Sequence, residues 1–493
     1  MSHASSPTRL VRAALAGTVL AFAAACGGGA DALRGPNVLL VTVDCLRGDR
    51  LGAAGYARDT TPNIDALALE GERFERAYAV APFTAPSHAS ILTSLDPDSH
   101  GVVFWGHRLT PGAATFGDLF AEAGYATGAF HNHPSLVSTG ITRGFEHVGV
   151  QAFGPWSVTA EDFETWLDGR GERRFAAWVH LWDAHRPYGF RNYEGEGAAS
   201  LRARGVPERY PYAEAFFGPQ HDVRVGRHEG FYNLSAAERA SPIEVGGKPR
   251  LLGERDFDYI ADRYDNAVRE ADRGVAALLE SLRERGLLDD TIVVVTADHG
   301  ETLRERAGCW FTHDPYLTDE TLRVPLVVRW PGARAAGRVR PDVASAVDLL
   351  PTLLDACDIE APPSLQGRSL VEPPPPGASF VAFAQTRSLS AKESAARAPH
   401  GGWIEHRESV TDGTLRLVHD LDQDRWSLFD LVRDPGETRD LLGAGTWSPE
   451  ARALRATKER LRAARPRVDP SQGSTTPEER ALLQRMGYLE GDE

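Results

Sequence analysis

Cysteine is scarce in this chain: four residues in 493, at positions 26, 45, 309 and 357. No two of them form a CxxC pair, so zinc ribbons and iron–sulfur clusters find no ligands here. Positive charge is also in deficit, with 54 Lys and Arg against 69 Asp and Glu and a formal charge of −15. A nucleic-acid partner would demand a basic surface and is excluded on that ground; the acidic balance serves solubility. Internal repeats are absent. What remains is an ordinary globular composition, 42% hydrophobic and 25% charged, in a chain long enough for a catalytic domain and a smaller one.

The N-terminal apolar run falls short of membrane-spanning length. Ala13–Ala25, preceded by Arg9 and Arg12, is too short to cross a bilayer comfortably and suits a signal peptide. Cys26 follows small residues and opens the glycine-rich stretch Gly27-Gly-Gly-Ala-Asp31, which resembles a bacterial lipoprotein cleavage site with acylation at Cys26. Residues 1–25 are thus expected to be a leader and 26–35 a linker. The mature protein is expected to be exported, periplasmic or cell-surface, and anchored to the bacterial envelope through lipid at Cys26. Acylation leaves three cysteines, hence at least one unpaired thiol. Cys45 and Cys309 either pair in a disulfide or stay as buried thiols.

Two runs carry the chemistry. Asn37-Val-Leu-Leu-Val-Thr-Val43 and Thr291-Ile-Val-Val-Val-Thr-Ala297 are near-continuous, β-branched and of strand length, as parallel strands covered on both faces are. The first stops at Asp44 and the second at Asp298-His299-Gly300-Glu301. Open α/β sheets build their sites where strands emerge at their carboxyl ends. Adjacent strand residues point to opposite faces, so Asp298 and His299 converge on one ion only if the chain turns there, and Gly300 permits that turn. Between the two runs lies Thr84-Ala-Pro-Ser-His88. Pro86 suits the first turn of a helix, with Thr84 as its cap and the positive dipole end aimed at an anion beside the hydroxyl.

These residues carry a resemblance. Pro36–Gly52 resembles the opening strand of sulfatases, with Asp44 at the first metal-ligand position, and Thr84-Ala-Pro-Ser-His88 resembles the sulfatase signature. His180-Leu-Trp-Asp-Ala-His-Arg-Pro-Tyr188, Thr296–Glu301, Arg323–Gly332 and Leu428–Leu441 follow in the family's order, so the likeness covers nearly everything after residue 35. It implies the alkaline-phosphatase-like fold, a divalent metal held by Asp44, Thr84, Asp298 and His299, and catalytic or anion-contacting roles for Thr84, His185, His313, Arg47 and His88. His100 also recurs in the family and reads as structural, and Asp49 as a capping or pairing residue.

The departures decide the chemistry expected. Sulfatases convert a leading Cys or Ser to formylglycine, and Thr84 cannot become that aldehyde. Superfamily members that act on phosphorus esters, among them nucleotide phosphodiesterases and phosphoethanolamine transferases, use a threonine alkoxide instead. Cys45 stands where many relatives have a second Asp, His88 replaces the signature Arg, and the family's Lys falls on or near His131 or Asn132. The mixed nitrogen and oxygen set favours zinc or manganese, with calcium as the oxygen-only alternative.

A doubly wound, mostly parallel sheet is therefore expected over residues 36–371, with Asp258–Arg285 as a covering helix and the aromatic, Gly- and Pro-rich Glu194–Pro249 as an insertion at the site mouth. After the stiff Glu372–Gly377 linker, a small antiparallel α+β subdomain is expected over 378–465, with strands Ser379–Ala384, Gly402–Glu405, Leu415–Asp420 and Trp426–Asp430 and a basic helix over 449–464. Residues 466–493 read as a tail. The function expected is a metal-dependent ester hydrolase or transferase attacking a phosphate ester, a diester or envelope head group, through Thr84. A small-molecule, glycan or lipid ester is the substrate class. A sulfatase working without formylglycine is the alternative, and a glycan-binding pseudoenzyme the second.

Overall fold

The computed structural model describes residues 35–468 and 471–472, apart from 152–153, 186–187, 189–222, 226–227, 230–242, 246–247, 251–253, 307–310, 312, 314–315, 376, 388–405, 444 and 469–470. The leader, the Cys26 anchor, Cys309, the strand expected at Gly402–Glu405, most of the Glu194–Pro249 insertion and the tail beyond 472 lie outside the described residues. None of the described helices is long and apolar enough to cross a membrane.

The two apolar runs form strands with the bounds read from the sequence. β1 spans Asn37–Val43, and every residue of it is buried, as a strand covered on both faces requires. β2 is Glu72–Tyr78, β3 Ala126–His131, β4 His147–Val150, β5 Phe175–Leu181 and β6 Thr291–Ala297. β7 (Arg323–Val324), β8 (Leu326–Arg329) and β9 (Arg338–Ser345) follow. The strands lie in the order β7-β2-β8-β6-β1-β5-β3-β4, with β9 also pairing β2. From β6 through β4 the pairing is parallel, whereas β8 runs antiparallel to both β6 and β2. The sheet is thus mixed but mostly parallel, and the chain alternates strand and helix as expected.

Helices α1 (Pro62–Glu70), α2 (Thr84–Thr93), α3 (Trp156–Gly169), α4 (Glu254–Glu284) and α5 (Leu349–Ala356) cover it. The covering helix α4 begins four residues earlier than its apolar pattern predicts. It buries Tyr264, Ala267, Val268, Ala271, Val275, Leu278 and Leu282 on one stripe and packs on α1 and α3, while α2 packs on α5.

Four strands form a separate antiparallel sheet: β10 (Ala382–Thr386), β11 (Arg407–Thr411), β12 (Leu415–Asp420) and β13 (Arg425–Asp430). Val410, Leu417 and Leu428 pack with Ala451 and Leu454 of α6 (Pro449–Ala464) in a small core. Arg416 is fully buried and pairs with Glu437 at 3.0 Å and with Asp319 at 2.9 Å, which ties this sheet to the segment leading into β7.

Candidate active site

Three adjacent parallel strands deliver the site. β1, β5 and β6 are in register, with Val43 beside both Leu181 and Ala297, so Asp44, Trp182 and Asp298 leave the sheet at the same level. The Asp44 N–H bonds the Leu181 carbonyl at 2.9 Å. Cys45 then takes a left-handed backbone with φ of 56°, a strained state for a side chain bearing Cβ. Its amide donates to Asp298 Oδ1 at 3.3 Å, lashing the two strand ends together. From α4, the Tyr264 hydroxyl donates to the Cys45 carbonyl at 2.8 Å and accepts from the Arg47 amide at 3.1 Å.

Asp44, Asp298 and His299 are all completely buried, and one ligand atom from each lies within 4.8 Å of the others. His299 donates from Nδ1 to the Gly300 carbonyl at 2.9 Å, which in the neutral ring leaves Nε2 as a lone pair, 3.3 Å from Asp298 Oδ2 and 3.2 Å from Thr84 Oγ1. Burial and the neighbouring Asp44 carboxylate both push the Asp298 pKa up. Burial opposes the charged form of His299, but Asp298 and Asp44 outweigh it and raise its pKa. Asp298 Oδ2 accepts no hydrogen bond from the described residues. Two buried carboxylates crowded against an imidazole lone pair fit a bound divalent cation, and the nitrogen and oxygen donors suit zinc or manganese.

Thr84 opens α2, and its placement corrects one expectation. The N-cap is Phe83, with no capping side chain, so Thr84 is the first helical residue and its hydroxyl meets His299 rather than a backbone amide. Ser87 one turn on donates to the Asp298 carbonyl at 2.5 Å, pinning the helix start to the end of β6. Gly300 also acts differently from the turn reading. It has no positive φ, and a Cβ there would sit 2.0 Å from the Glu320 carbonyl oxygen, so the need is for space.

His185 and His313 reach the same corner. A ligand atom of His185 groups with Asp44 and Cys45, and one of His313 with Cys45 and His299, each set within 4.8 Å. The His313 ring lies 4.4 Å from that of His299 and 5.8 Å from that of His185, centroid to centroid. Trp182 stacks on His185 at 3.8 Å. His313 Nδ1 is 3.1 Å from Glu301 Oε2, an orienting carboxylate absent from the sequence reading, although Glu301 stands inside the quoted strand-end motif.

Cys45 is a free, buried thiol that donates to Asp44 Oδ1 at 2.9 Å. Burial, and then Asp44, push its pKa well up. Arg47 is buried as well, but its guanidinium is taken by Asp49 at 2.7 Å and Glu305 at 2.6 Å, and it donates to the Glu301 carbonyl at 3.1 Å. Those contacts position the strand-end loop, and Asp49 is the pairing residue expected. His88 donates from Nδ1 to the Thr84 carbonyl at 2.9 Å and lies 3.6 Å from Asp298 Oδ2. Burial, with the nearby His180 ring adding to it, holds its pKa down to about 3. His100 bonds Ser90 Oγ at 3.0 Å behind α2, in keeping with a structural residue.

A second buried polar group escaped the sequence reading. Register aligns Thr42 with His180, and His180 with His131, across β1, β5 and β3. His180 Nδ1 meets Thr42 Oγ1 at 3.0 Å, and its Nε2 stands 3.2 Å from Asp44 Oδ2. Within its own strand His180 looks like one polar residue in an apolar run. Only strand pairing, a long-range property, reveals the row.

Comparison with known proteins agrees with this architecture. The Sulfatase family model matches residues 36–359, and the model described as N-sulphoglucosamine sulphohydrolase, C-terminal, matches residues 308–464. The chain is 24% identical to N-acetylglucosamine-6-O-sulfatase of Bacteroides thetaiotaomicron, over 89% of this chain and 88% of that one. Among solved structures, the phosphonate monoester hydrolase of Agrobacterium radiobacter superposes with a TM-score of 0.67 at 22% identity, covering 87% of this chain and 96% of the other. A structure solved in complex with its substrate D-glucosamine-2-N,6-O-disulfate does so with a TM-score of 0.67 at 21% identity, covering 89% and 99%. The strand-end cluster, the sheet order and the family match together place this chain in the sulfatase family, an ester hydrolase of the alkaline-phosphatase-like fold.

Proposed function

We propose that this chain is a metal-dependent hydrolase or transferase of phosphate esters, a diester or envelope head group, in which Thr84 is the nucleophile. The observation that carries the reading is the Thr84 hydroxyl at the start of α2, buried and 3.2 Å from His299 Nε2 beside Asp44 and Asp298. Asp44, Asp298, His299 and Thr84 would hold the ion, zinc or manganese before calcium. When bound it lowers the hydroxyl pKa and offsets charge on the transferring group.

The remaining steps belong to side chains. Thr84 Oγ, its proton given up to solvent, forms a bond to phosphorus as the leaving oxygen departs with the bonding pair, and Thr84 regains a proton from solvent when the ester is later broken. The N-terminus of α2 turns its first amides and positive dipole end toward the anion. His313, held through Nδ1 by Glu301, presents its other nitrogen to protonate the leaving oxygen. His185, fixed by its stack on Trp182, is placed to take a proton from the water or acceptor alcohol that then releases Thr84. Arg47 acts as a positioning residue through the Glu301 carbonyl.

Sulfate ester hydrolysis is the second reading, favoured by the named activity of the Bacteroides relative. Sulfate monoesters and phosphate diesters carry the same single charge, so the nucleophile separates them. Turnover of an aryl phosphate diester beside an aryl sulfate, with Thr84→Ala as control, tests the choice. Diester cleavage lost in the variant supports Thr84 as a phosphorus nucleophile, and cleavage of the sulfate alone refutes it. The lipoprotein-like start of the sequence supports a protein exported and tethered at Cys26. Radiolabelled palmitate incorporation that vanishes in Cys26→Ala would establish the anchor, and its absence from the native chain would refute it.

A further inference from the structure

Two neighbouring residues of α4 hold the backbone beyond both strand ends that carry the site. Arg263 and Tyr264 are buried and adjacent in sequence. The Tyr264 hydroxyl donates to the Cys45 carbonyl at 2.8 Å and accepts from the Arg47 amide at 3.1 Å. Arg263 donates to the Tyr188 carbonyl, from Nε at 3.1 Å and from Nη2 at 2.9 Å. The two acceptors lie in different loops, one after β1 and one after β5, strands that pair in parallel. The rings of Tyr188 and Tyr264 meet edge to face, 5.4 Å between centroids at 84°.

Both anchored residues have left-handed backbones. φ is 56° at Cys45 and 48° at Tyr188; neither is glycine, so each conformation persists only where its surroundings fix it. What each loop gains is the aim of one site group. Cys45 follows Asp44 directly and its amide donates to Asp298 Oδ1 at 3.3 Å, so its backbone adjoins one ligand carboxylate and bonds the other. Tyr188 donates from its amide to the His185 carbonyl at 3.0 Å, and His185 from its own to the Trp182 carbonyl at 2.9 Å. Those two bonds set the turn that stacks the His185 ring on Trp182. A packed helix thus supplies fixed donors to two loops that carry chemistry.

We propose that Arg263 and Tyr264 are positioning residues that act on different parts of the reaction, Tyr264 aiming the metal ligands through Cys45 and Arg263 aiming His185 through Tyr188. The inference rests on the reading of Asp44 and Asp298 as metal ligands and of His185 as the proton acceptor, and it holds for either ester. Its consequence is that metal binding and the His185 step can be impaired one at a time, by substitutions at adjacent positions.

Tyr264→Phe removes one oxygen and keeps the ring, while Arg263→Lys keeps the charge and gives up the guanidinium fork. Each is compared with native protein by calorimetric titration of stripped protein with zinc, and by turnover at rising zinc of whichever aryl ester the native protein cleaves. Tyr264→Phe is expected to bind zinc roughly tenfold more weakly, the lower end of what an outer-shell partner is worth, and to recover native kcat at saturating zinc. Arg263→Lys is expected to bind zinc as native protein does and to lose kcat by up to about 100-fold at every zinc concentration, as a small misplacement of a reacting group does. The same loss of zinc affinity in both variants, or native behaviour in both, overturns the separate roles. Should a variant fail to fold, hydrogen exchange in the native protein decides. The Arg47 amide, whose acceptor is the Tyr264 hydroxyl, is expected to exchange more slowly once zinc is bound, because coupling between the two is reciprocal, and exchange indifferent to zinc overturns the proposal. Native protein that binds no zinc overturns it together with the metal reading, which separates the two failures.

Discussion

A single methyl group at Gly300 should loosen the metal corner. The Cβ of Gly300→Ala would lie 2.0 Å from the Glu320 carbonyl oxygen and 3.3 Å from Arg47 Cγ, the first far inside ordinary van der Waals contact. The closest obstacle is backbone, so no rotamer change relieves it. Overpacking of this kind costs about 1–3 kcal/mol. The strain falls on the metal site because the Gly300 carbonyl receives the His299 Nδ1 proton at 2.9 Å and the Gly300 amide donates to the Thr321 carbonyl at 2.8 Å. Displacing that peptide re-aims the His299 ring. If about 1.4 kcal/mol of the strain is expressed against the bound state, metal affinity falls about tenfold. Calorimetric titration of stripped protein with zinc or manganese measures this, with Gly112→Ala as control, since a Cβ at Gly112 meets nothing within 4 Å. A Gly300→Ala protein that binds metal as the native one does would refute the reasoning.

Glu301→Gln should lower kcat more than it raises KM, because it unseats His313 without touching the ligands, while His313→Ala should lose on the order of 10²–10⁴-fold; equal kinetics for Glu301→Gln and native protein would remove the orienting role. Burial pushes the Asp183 carboxyl up to about 7, against the opposing Trp156 amide. A folded pKa above the unfolded one means that Asp183 supports the fold at low pH and that this support is lost as pH rises from about 4 through about 7, at roughly 1.4 kcal/mol for each pH unit between those two values. Asp183→Asn should therefore melt progressively higher than native protein as pH rises from about 5 to about 8, and a difference that does not change with pH would contradict the assignment. Arg416→Ala removes the closest cation from buried Glu437, which keeps the Asp319 amide at 2.7 Å and Arg306 at 3.6 Å, and should destabilise the protein by roughly 1.5–3 kcal/mol in denaturant unfolding; a loss below about 0.5 kcal/mol would show that the pair is not needed.

Much of the site was legible because it lies where local pattern is strongest. Asp44 and the Asp298-His299 pair end two apolar runs whose bounds coincide with β1 and β6. The helix start at Thr84 followed from Pro86, although which residue caps it did not. Capping depends on the backbone angles of Phe83, and the Thr84 hydroxyl is claimed by His299, which is distant in sequence. His180 and Thr42 stayed hidden because a polar residue within a strand gains its meaning only from the register of neighbouring strands. Arg47 was read as holding the nucleophile or the anion, and the structure adds what the sequence did not show, that Asp49 and Glu305 pair with its guanidinium. In the C-terminal sheet, β12 matched its expected bounds while β10 shifted by two or three residues, as edges of short strands do when tertiary pairing sets them.

The central claim is that Thr84 attacks phosphorus, and the most direct test is the chemical fate of its side chain. Metal-loaded protein would be mixed with an aryl phosphate diester, quenched in acid within the first turnover and digested, and the peptide carrying Thr84 weighed by mass spectrometry. A phosphoryl ester on Thr84, formed and then lost as product appears, is the predicted result. Full diester turnover with Thr84 never modified, or a sulfuryl ester on Thr84 from an aryl sulfate while the diester is left intact, would contradict it.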